Sequence, residues 1–239
     1  QNIEKIREQI EKLSNSESRI FIYGPTGSGK ELIARKIHKL SKRNKGPFII
    51  LNGALLDVKK YELELFGEEK DNGSITYGSL EKASGGTLLI DEISEIPLET
   101  QSKILRVLID QKFKRINSNH DIKVNVRIIC TTSKNIINEI KLGNFHEDLF
   151  YRLNVFQIVI DPLSKRVEDI PYLVNYFSDK ISNSYNLKKL NISIEILKKI
   201  ESGEIETIEK AIPVTGFIRA FAKITNAEIG EELDKLQSD

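Results

Sequence analysis

The sequence predicts an α/β fold: a parallel sheet with helices on both faces, followed by a small helical subdomain. Two patterns carry this reading. Short apolar runs alternate with segments of helical periodicity as far as about residue 160. From Val167 onward only the helical period remains. In such a fold a ligand is expected at the C-terminal ends of the strands.

The elements follow in order. Ile3, Ile6, Ile10 and Leu13 recur at helical spacing and predict an opening amphipathic helix, which Ser14-Asn15-Ser16 breaks. Arg19 to Tyr23 reads as a short buried strand. A Gly-rich turn and a helix from about Glu31 to Lys42 come next, and Gly46-Pro47 ends that helix. Phe48 to Leu51 is a second strand and Thr87 to Ile90 a third, ending on Asp91-Glu92. A helix is expected over Leu98 to Asp110, a strand over Val124 to Cys130 with Thr131-Thr132-Ser133 at its end, and a last strand over Asn154 to Ile160. Asp169-Ile170-Pro171 starts one helix of the second part, and Ile194 to Ile200 lies in another. Glu201 to Lys210 reads as a loop.

Bulk properties narrow the function. The 36 Lys and Arg are balanced by 35 Asp and Glu. The charges are mixed, so a dedicated nucleic-acid surface is not expected within this segment. No run approaches the roughly 20 apolar residues of a membrane helix, and no charged leader precedes an apolar stretch. Cys130 is the single cysteine, which excludes an internal disulfide and a zinc site built on paired cysteines. It sits in an apolar run and reads as a buried small hydrophobe. These features predict a cytoplasmic protein. A start at Gln1 and the lack of Met suggest a piece of a longer or processed protein.

Gly24-Pro25-Thr26-Gly27-Ser28-Gly29-Lys30 satisfies G-x-x-x-x-G-K between a strand and a helix. The glycines let the backbone curl so that N–H groups face an anion, and the following helix presents its positive end to it. Lys30 adds a charge for the β- and γ-phosphates. The expected ligand is ATP. Glu31 stands where this motif usually carries the Ser or Thr that holds magnesium, so Mg²⁺ must rely on a second motif. That motif is Leu88-Leu89-Ile90-Asp91-Glu92, an apolar strand delivering two acids. Asp91 is suited to hold Mg²⁺ and Glu92 to polarise water as a general base.

Two residues keep two readings each. Asn52 either bonds Glu92 and holds it off the water or is a turn residue before Gly53. Arg152 either supplies positive charge to a phosphoryl transition state or pairs with Asp148 along one helix.

Taken together these motifs resemble the AAA+ domain of sigma-54-type transcription activators, the NtrC family. The match runs from about Ile3 to Tyr185. Besides Gly24 to Glu31 it includes Glu64-Leu65-Phe66-Gly67, Gly85 to Ile93, Pro97 to Gln101, Leu105 to Leu108, Val126 to Ile129 and Glu147 to Val155. The resemblance implies a ring-forming ATPase, often hexameric, with ATP between subunits. In that picture Asn52 restrains the catalytic Glu92, Arg152 is an arginine finger reaching a neighbouring subunit, and Ser133 is a sensor at a strand end. Thr215-Gly216-Phe217-Ile218-Arg219 resembles a degenerate second-sensor block, with Arg219 as the sensor. The implied domains are a linker helix (1–14), an AAA+ subdomain (15–165) and a helical lid (166–239).

Two departures stand out. The family contacts sigma factor through a Gly-Ala-Phe-Thr-Gly-Ala loop, whereas Glu68 to Gly78 is shorter and lacks it, with Ile75 and Tyr77 expected at a modest hairpin tip. His146 occupies a position where the family has another finger arginine, and imidazole is shorter and mostly neutral at pH 7. The missing loop motif, with Ser41-Lys42-Arg43 and Gly46-Pro47-Phe48, resembles the NtrX-like branch of response regulators. That branch implies a receiver domain before this segment, answering to a sensor kinase, and a DNA-binding domain after it. The leading expectation is an ATPase domain that controls assembly on DNA without activating sigma-54 polymerase. Two alternatives stand beside it: a nucleotide-gated interaction module with negligible turnover, and a sigma-54 activator with a diverged loop.

Overall fold

The computed structural model describes residues 3–55 and 60–185. The chain divides into two compact units, Gln1–Pro162 and Leu163–Asp239. In the first, five parallel strands lie in the order β2-β5-β8-β1-β9. They are β1 (Ile20–Tyr23), β2 (Phe48–Asn52), β5 (Thr87–Asp91), β8 (Arg127–Thr132) and β9 (Phe156–Val159). Helices α1 (Ile3–Ser14) and α2 (Lys30–Leu40) flank β1 in sequence. Helices α3 (Tyr61–Phe66) and α4 (Ser79–Lys82) bracket the two-stranded hairpin β3 (Gly67–Glu69) and β4 (Ile75–Tyr77). After β5 come α5 (Leu98–Asp110), a second hairpin β6 (Lys112–Phe113) and β7 (Ile122–Lys123), then β8, α6 (Ile136–Lys141) and α7 (Glu147–Leu153).

Strand side chains alternate between faces, and the core divides accordingly. Ile20, Ile22, Leu89, Ile129 and Ile158 join Ala34 and Ile37 of α2 and Ile6, Ile10 and Leu13 of α1 in one cluster. Their strand neighbours Phe21, Leu88, Ile90, Ile128 and Cys130 join residues of α3, α4, α5 and α7 in the other. The central strands are therefore apolar on both faces, which is why they read as continuous runs.

Helix α1, over the residues expected as a linker helix, lies within the first unit. Its apolar stripe packs into the α/β core, and its end is fixed by Arg127. That guanidinium, at the start of β8, is 2% exposed and donates to the carbonyls of Leu13 (2.7 Å), Ser14 (3.3 Å) and Ser18 (3.4 Å). Helix C-terminal carbonyls lack intrahelical donors and carry partial negative charge, so they receive a buried cation without a carboxylate. Arg43 adds a surface clamp, donating to Glu17 at 2.6 Å and to Asn125.

Three expectations shift. The strand placed at Val124 to Cys130 runs over Arg127–Thr132, because its register sets Thr87 opposite Arg127 and Tyr23 opposite Thr132. Val124 instead donates its N–H to Gln111 at 3.2 Å beside the β6–β7 hairpin. The last strand is shorter than expected, at Phe156–Val159. Ile75 and Tyr77 lie on β4 and not at the tip, which residues 70–74 form through Lys70 N–H to Ser74 O (2.9 Å) and Gly73 N–H to Lys70 O (2.8 Å). Tyr77 lies under the Arg115 guanidinium, 5.5 Å from its ring centre, while Arg115 forms a two-pronged bond to Glu81 at 2.6 and 2.8 Å.

In the second unit, α8 (Ile170–Tyr185) follows short 3-10 turns, as Asp169-Ile170-Pro171 predicts. The helix expected over Ile194 to Ile200, the loop over Glu201 to Lys210 and Arg219 lie outside the described residues.

Candidate nucleotide site

The loop from Gly24 to Gly29 joins β1 to α2 at the C-terminal end of the sheet. Gly24 lies so close to the residue after β9 that an added Cβ would sit 2.9 Å from Ile160 O and 3.0 Å from its Cβ. Gly27 and Gly29 have φ of +76° and +95°, which only glycine adopts freely. Pro25, Thr26 and Ser28 complete the curl, with Ser28 N–H donating to Pro25 O at 3.1 Å. The loop therefore leads directly into the N-terminus of α2, whose first residue is Lys30.

Lys30 is 6% exposed and points back across the loop. Its Nζ lies 2.9 Å from Gly24 O, 3.2 Å from Pro25 O and 3.0 Å from Glu92 Oε1. Glu31 points elsewhere, pairing with Arg35 at 2.6 Å on the exposed face of α2.

β5 ends on Asp91, and Glu92 turns out of the strand with φ 51° and ψ 56°. A non-glycine residue held in this left-handed region costs about 1–3 kcal/mol and persists where its surroundings over-determine it. The surroundings are visible. Glu92 N–H donates to Thr131 Oγ1 at 3.1 Å, and the same hydroxyl donates to Asp91 Oδ1. Glu92 Oε2 accepts from Ser133 N–H at 2.7 Å and Ser133 Oγ at 2.9 Å. On the other side Gly53 passes so near that a Cβ would lie 2.5 Å from Glu92 O. The Tyr61 hydroxyl holds that glycine by its carbonyl. Lys30 and Glu92, 62 positions apart in the chain, thus meet because β1 and β5 flank β8 and both end at one edge.

Asn52 takes the turn reading. It pairs with Asp91 in the backbone register, and its Oδ1 accepts from Ala54 N–H at 2.9 Å. Among the described residues it makes no bond to Glu92, whose carboxylate is engaged by Lys30 and Ser133. The β8 residues Thr131 and Thr132 were not anticipated as part of the site. Thr132 bonds Ser94 at 2.8 Å and holds the turn after Glu92. The only signal for them was the cluster of hydroxyls at a strand end.

Arg152 is exposed near the end of α7. It lies at the N-terminal edge of the sheet with Arg19, the residue before β1, whereas Lys30 follows the other end of β1. Four strand residues at about 3.3 Å each put roughly 13 Å of sheet between the two edges. The ion pair with Asp148 is not formed among the described residues. His146 precedes α7 and folds back on α5, its Nε2 3.2 Å from Leu98 O and 3.0 Å from Ser102 Oγ, its N–H donating to the buried Gln101 at 2.9 Å.

Among the described residues, no helix is long and apolar enough to cross a membrane, and none forms a cluster of three metal-binding side chains.

The chain is similar to known proteins. The nitrogen assimilation regulatory protein NtrX of Azorhizobium caulinodans is 44% identical over 201 residues, 84% of this chain and 44% of that protein. The regulatory protein AtoC of Escherichia coli is 48% identical over 176 residues, 72% of this chain and 38% of its own length. A crystal structure of NtrX from Brucella abortus in complex with ATP has 43% sequence identity and a TM-score of 0.77, covering 82% of this chain and 46% of that one. The chain spans less than half the length of these relatives. The family model for the Sigma-54 interaction domain matches residues 1–159. By that match, and with a five-stranded parallel sheet carrying a phosphate-loop motif after β1, the chain belongs to the Sigma-54 interaction domain family of AAA+ P-loop NTPases.

Proposed function

We propose that this chain hydrolyses ATP at interfaces between copies of itself, as the ATPase domain of an NtrX-like two-component transcription regulator. The observation that carries the reading is Glu92, held in a strained conformation 3.0 Å from Lys30 at the mouth of the phosphate loop. The NtrX structures from Brucella abortus in complex with ATP and with ADP support the choice of nucleotide.

In this mechanism the loop N–H groups, the N-terminus of α2 and Lys30 take the phosphates. Glu92 accepts a proton from water as the water oxygen bonds to the γ-phosphorus. The bond from that phosphorus to the β,γ-bridging oxygen breaks, and ADP and phosphate leave. Ser133 aims Glu92. Asn52, fixed by its turn, backs the end of β5. Arg152 reaches a neighbouring copy's site, since its own lies beyond the sheet. Arg219 is the second sensor.

Magnesium fits the residues present. Asp91 offers one carboxylate beside the loop, and Mg²⁺ at nucleotides is usually held by one or two carboxylates with phosphate oxygens and water. When bound with ATP, the ion neutralises charge developing on the phosphates. Asp91 is steadied for this role by the Thr131 hydroxyl. Glu31, tied to Arg35, lies outside the ligand set but beside the loop.

The full-length protein is proposed to be cytoplasmic, to answer a sensor kinase through an N-terminal receiver and to bind DNA through a C-terminal domain. It would control its own assembly on DNA without remodelling sigma-54 polymerase. The test has two arms. Turnover should rise cooperatively with protein concentration and vanish in Glu92→Gln while ATP binding persists. Capture of sigma-54 by this chain with a transition-state analogue of ATP would overturn the polymerase half of the reading.

A second reading is a nucleotide-gated module without turnover. It is favoured by His146, whose ring is bonded to Leu98 and Ser102 and adds no second finger. Tight ATP binding with no turnover at high protein concentration would establish it.

A further inference from the structure

At the edge of the sheet opposite the phosphate loop, a cleft of about 340 Å³ lies between the end of α5, the end of α7 and the residues leading into β1 and β8. Arg19 and Arg152 both line it. Among the described residues neither guanidinium makes a hydrogen bond or ion pair. Glu17, the acid in the same cleft, is bound to Arg43 at 2.6 Å. Arg19 is half-buried, and burial followed by the nearby charge of Arg152 lowers its pKa, although arginine stays charged throughout.

Two like charges in one partly desolvated cleft repel, and the one acid there, Glu17, is already paired with Arg43. The arrangement becomes favourable when a multiply charged anion enters, and guanidinium forks match phosphate oxygens best. The rest of the lining is mixed, with the polar Ser18, Gln111 and Asn125 beside the exposed apolar Ile109 and Val155. The chain's own loop lies at the other end of β1, so the phosphate must come from another molecule.

We propose that Arg19 is a second trans-acting arginine, which together with Arg152 contacts the terminal phosphate of ATP held by a neighbouring copy. It supplies the positive charge that His146, folded onto α5, does not. This inference rests on the trans-ATPase reading above.

The test uses the 239-residue chain. Arg19→Gln should lower turnover by roughly tenfold or more. It should leave binding of a fluorescent ATP analogue unchanged and should not lower the melting temperature, while Arg19→Lys keeps part of the activity. Lys30→Ala supplies a partner with a dead loop and intact arginines. Mixed in equal amounts with Arg19→Gln, it should restore roughly a quarter of parental turnover, because about one interface in four then pairs an intact loop with intact arginines. Parental turnover in Arg19→Gln would overturn the proposal. So would a loss that Lys30→Ala fails to rescue while it does rescue Arg152→Gln. If neither mixture recovers, the trans reading of the whole site falls, and the role of Arg19 with it.

Discussion

Ser133 holds the Glu92 carboxylate through two donors, its N–H at 2.7 Å and its hydroxyl at 2.9 Å, while Lys30 takes the other oxygen at 3.0 Å. The end of β8 thus aims the acid that β5 delivers. Ser133→Ala keeps the backbone bond and removes the hydroxyl. A hydrogen bond to a charged group contributes about 1.5–3 kcal/mol, so turnover should fall about tenfold or more. Affinity for ATP should change little. Steady-state turnover beside equilibrium nucleotide binding measures both, and an unchanged turnover would remove Ser133 from the positioning role.

Gly53 sets the spacing between β2 and the turn at Glu92. A methyl group there would meet Glu92 O at 2.5 Å and Asp91 O at 3.0 Å, both backbone atoms that cannot swing aside. Gly53→Ala is expected to destabilise the chain by about 1–3 kcal/mol and to reduce turnover more than affinity. Denaturant unfolding with parallel kinetics checks it. A variant as stable and active as the parent would show that this approach is not tight.

Arg127 ties α1 to the core through three carbonyls. Arg127→Met keeps much of the volume but leaves those acceptors in a buried place without donors. Each buried group so orphaned costs about 1–3 kcal/mol. Amide exchange should quicken first in α1, ahead of the sheet. Uniform exchange across both would mean that α1 does not open separately.

His38 is buried on α2 with its Nδ1 2.9 Å from Thr87 Oγ1, and burial lowers its pKa below the usual imidazole value. The unfolded chain therefore binds this proton first as pH falls. Stability should decline as pH drops below about 6.5 and level off once the folded state also protonates. His38→Gln should flatten that slope. Unfolding midpoints across pH 7.5 to 5 on the order of half-unit steps would read it, and an equal slope in parent and variant would assign the proton elsewhere.

Much of the site was legible because its parts are local. The loop glycines are dictated by backbone conformations that adjacent residues specify, and the Asp91-Glu92 pair sits at the end of an apolar run whose length marks a buried strand. Thr131 and Ser133 were harder to read. A hydroxyl run at a strand end has many uses, and only the β5–β8 register shows which carboxylates it meets. Asn52 shows the same limit. The sequence places it near the acids, yet a bond to Ala54 two residues on was as available as one across the sheet.

Sequence alone determined the fold class, the phosphate loop and the second acidic motif, because periodicity, glycine and strand ends act over a few residues. Only the tertiary structure decided three other matters. It drew α1 into the core, since burial of Ile6, Ile10 and Leu13 depends on which surface receives them. It joined Lys30, Glu92 and Ser133, since strand order brings distant segments to one edge. It set Arg19 beside Arg152 at the opposite edge, where two charges far apart in the chain share one cleft.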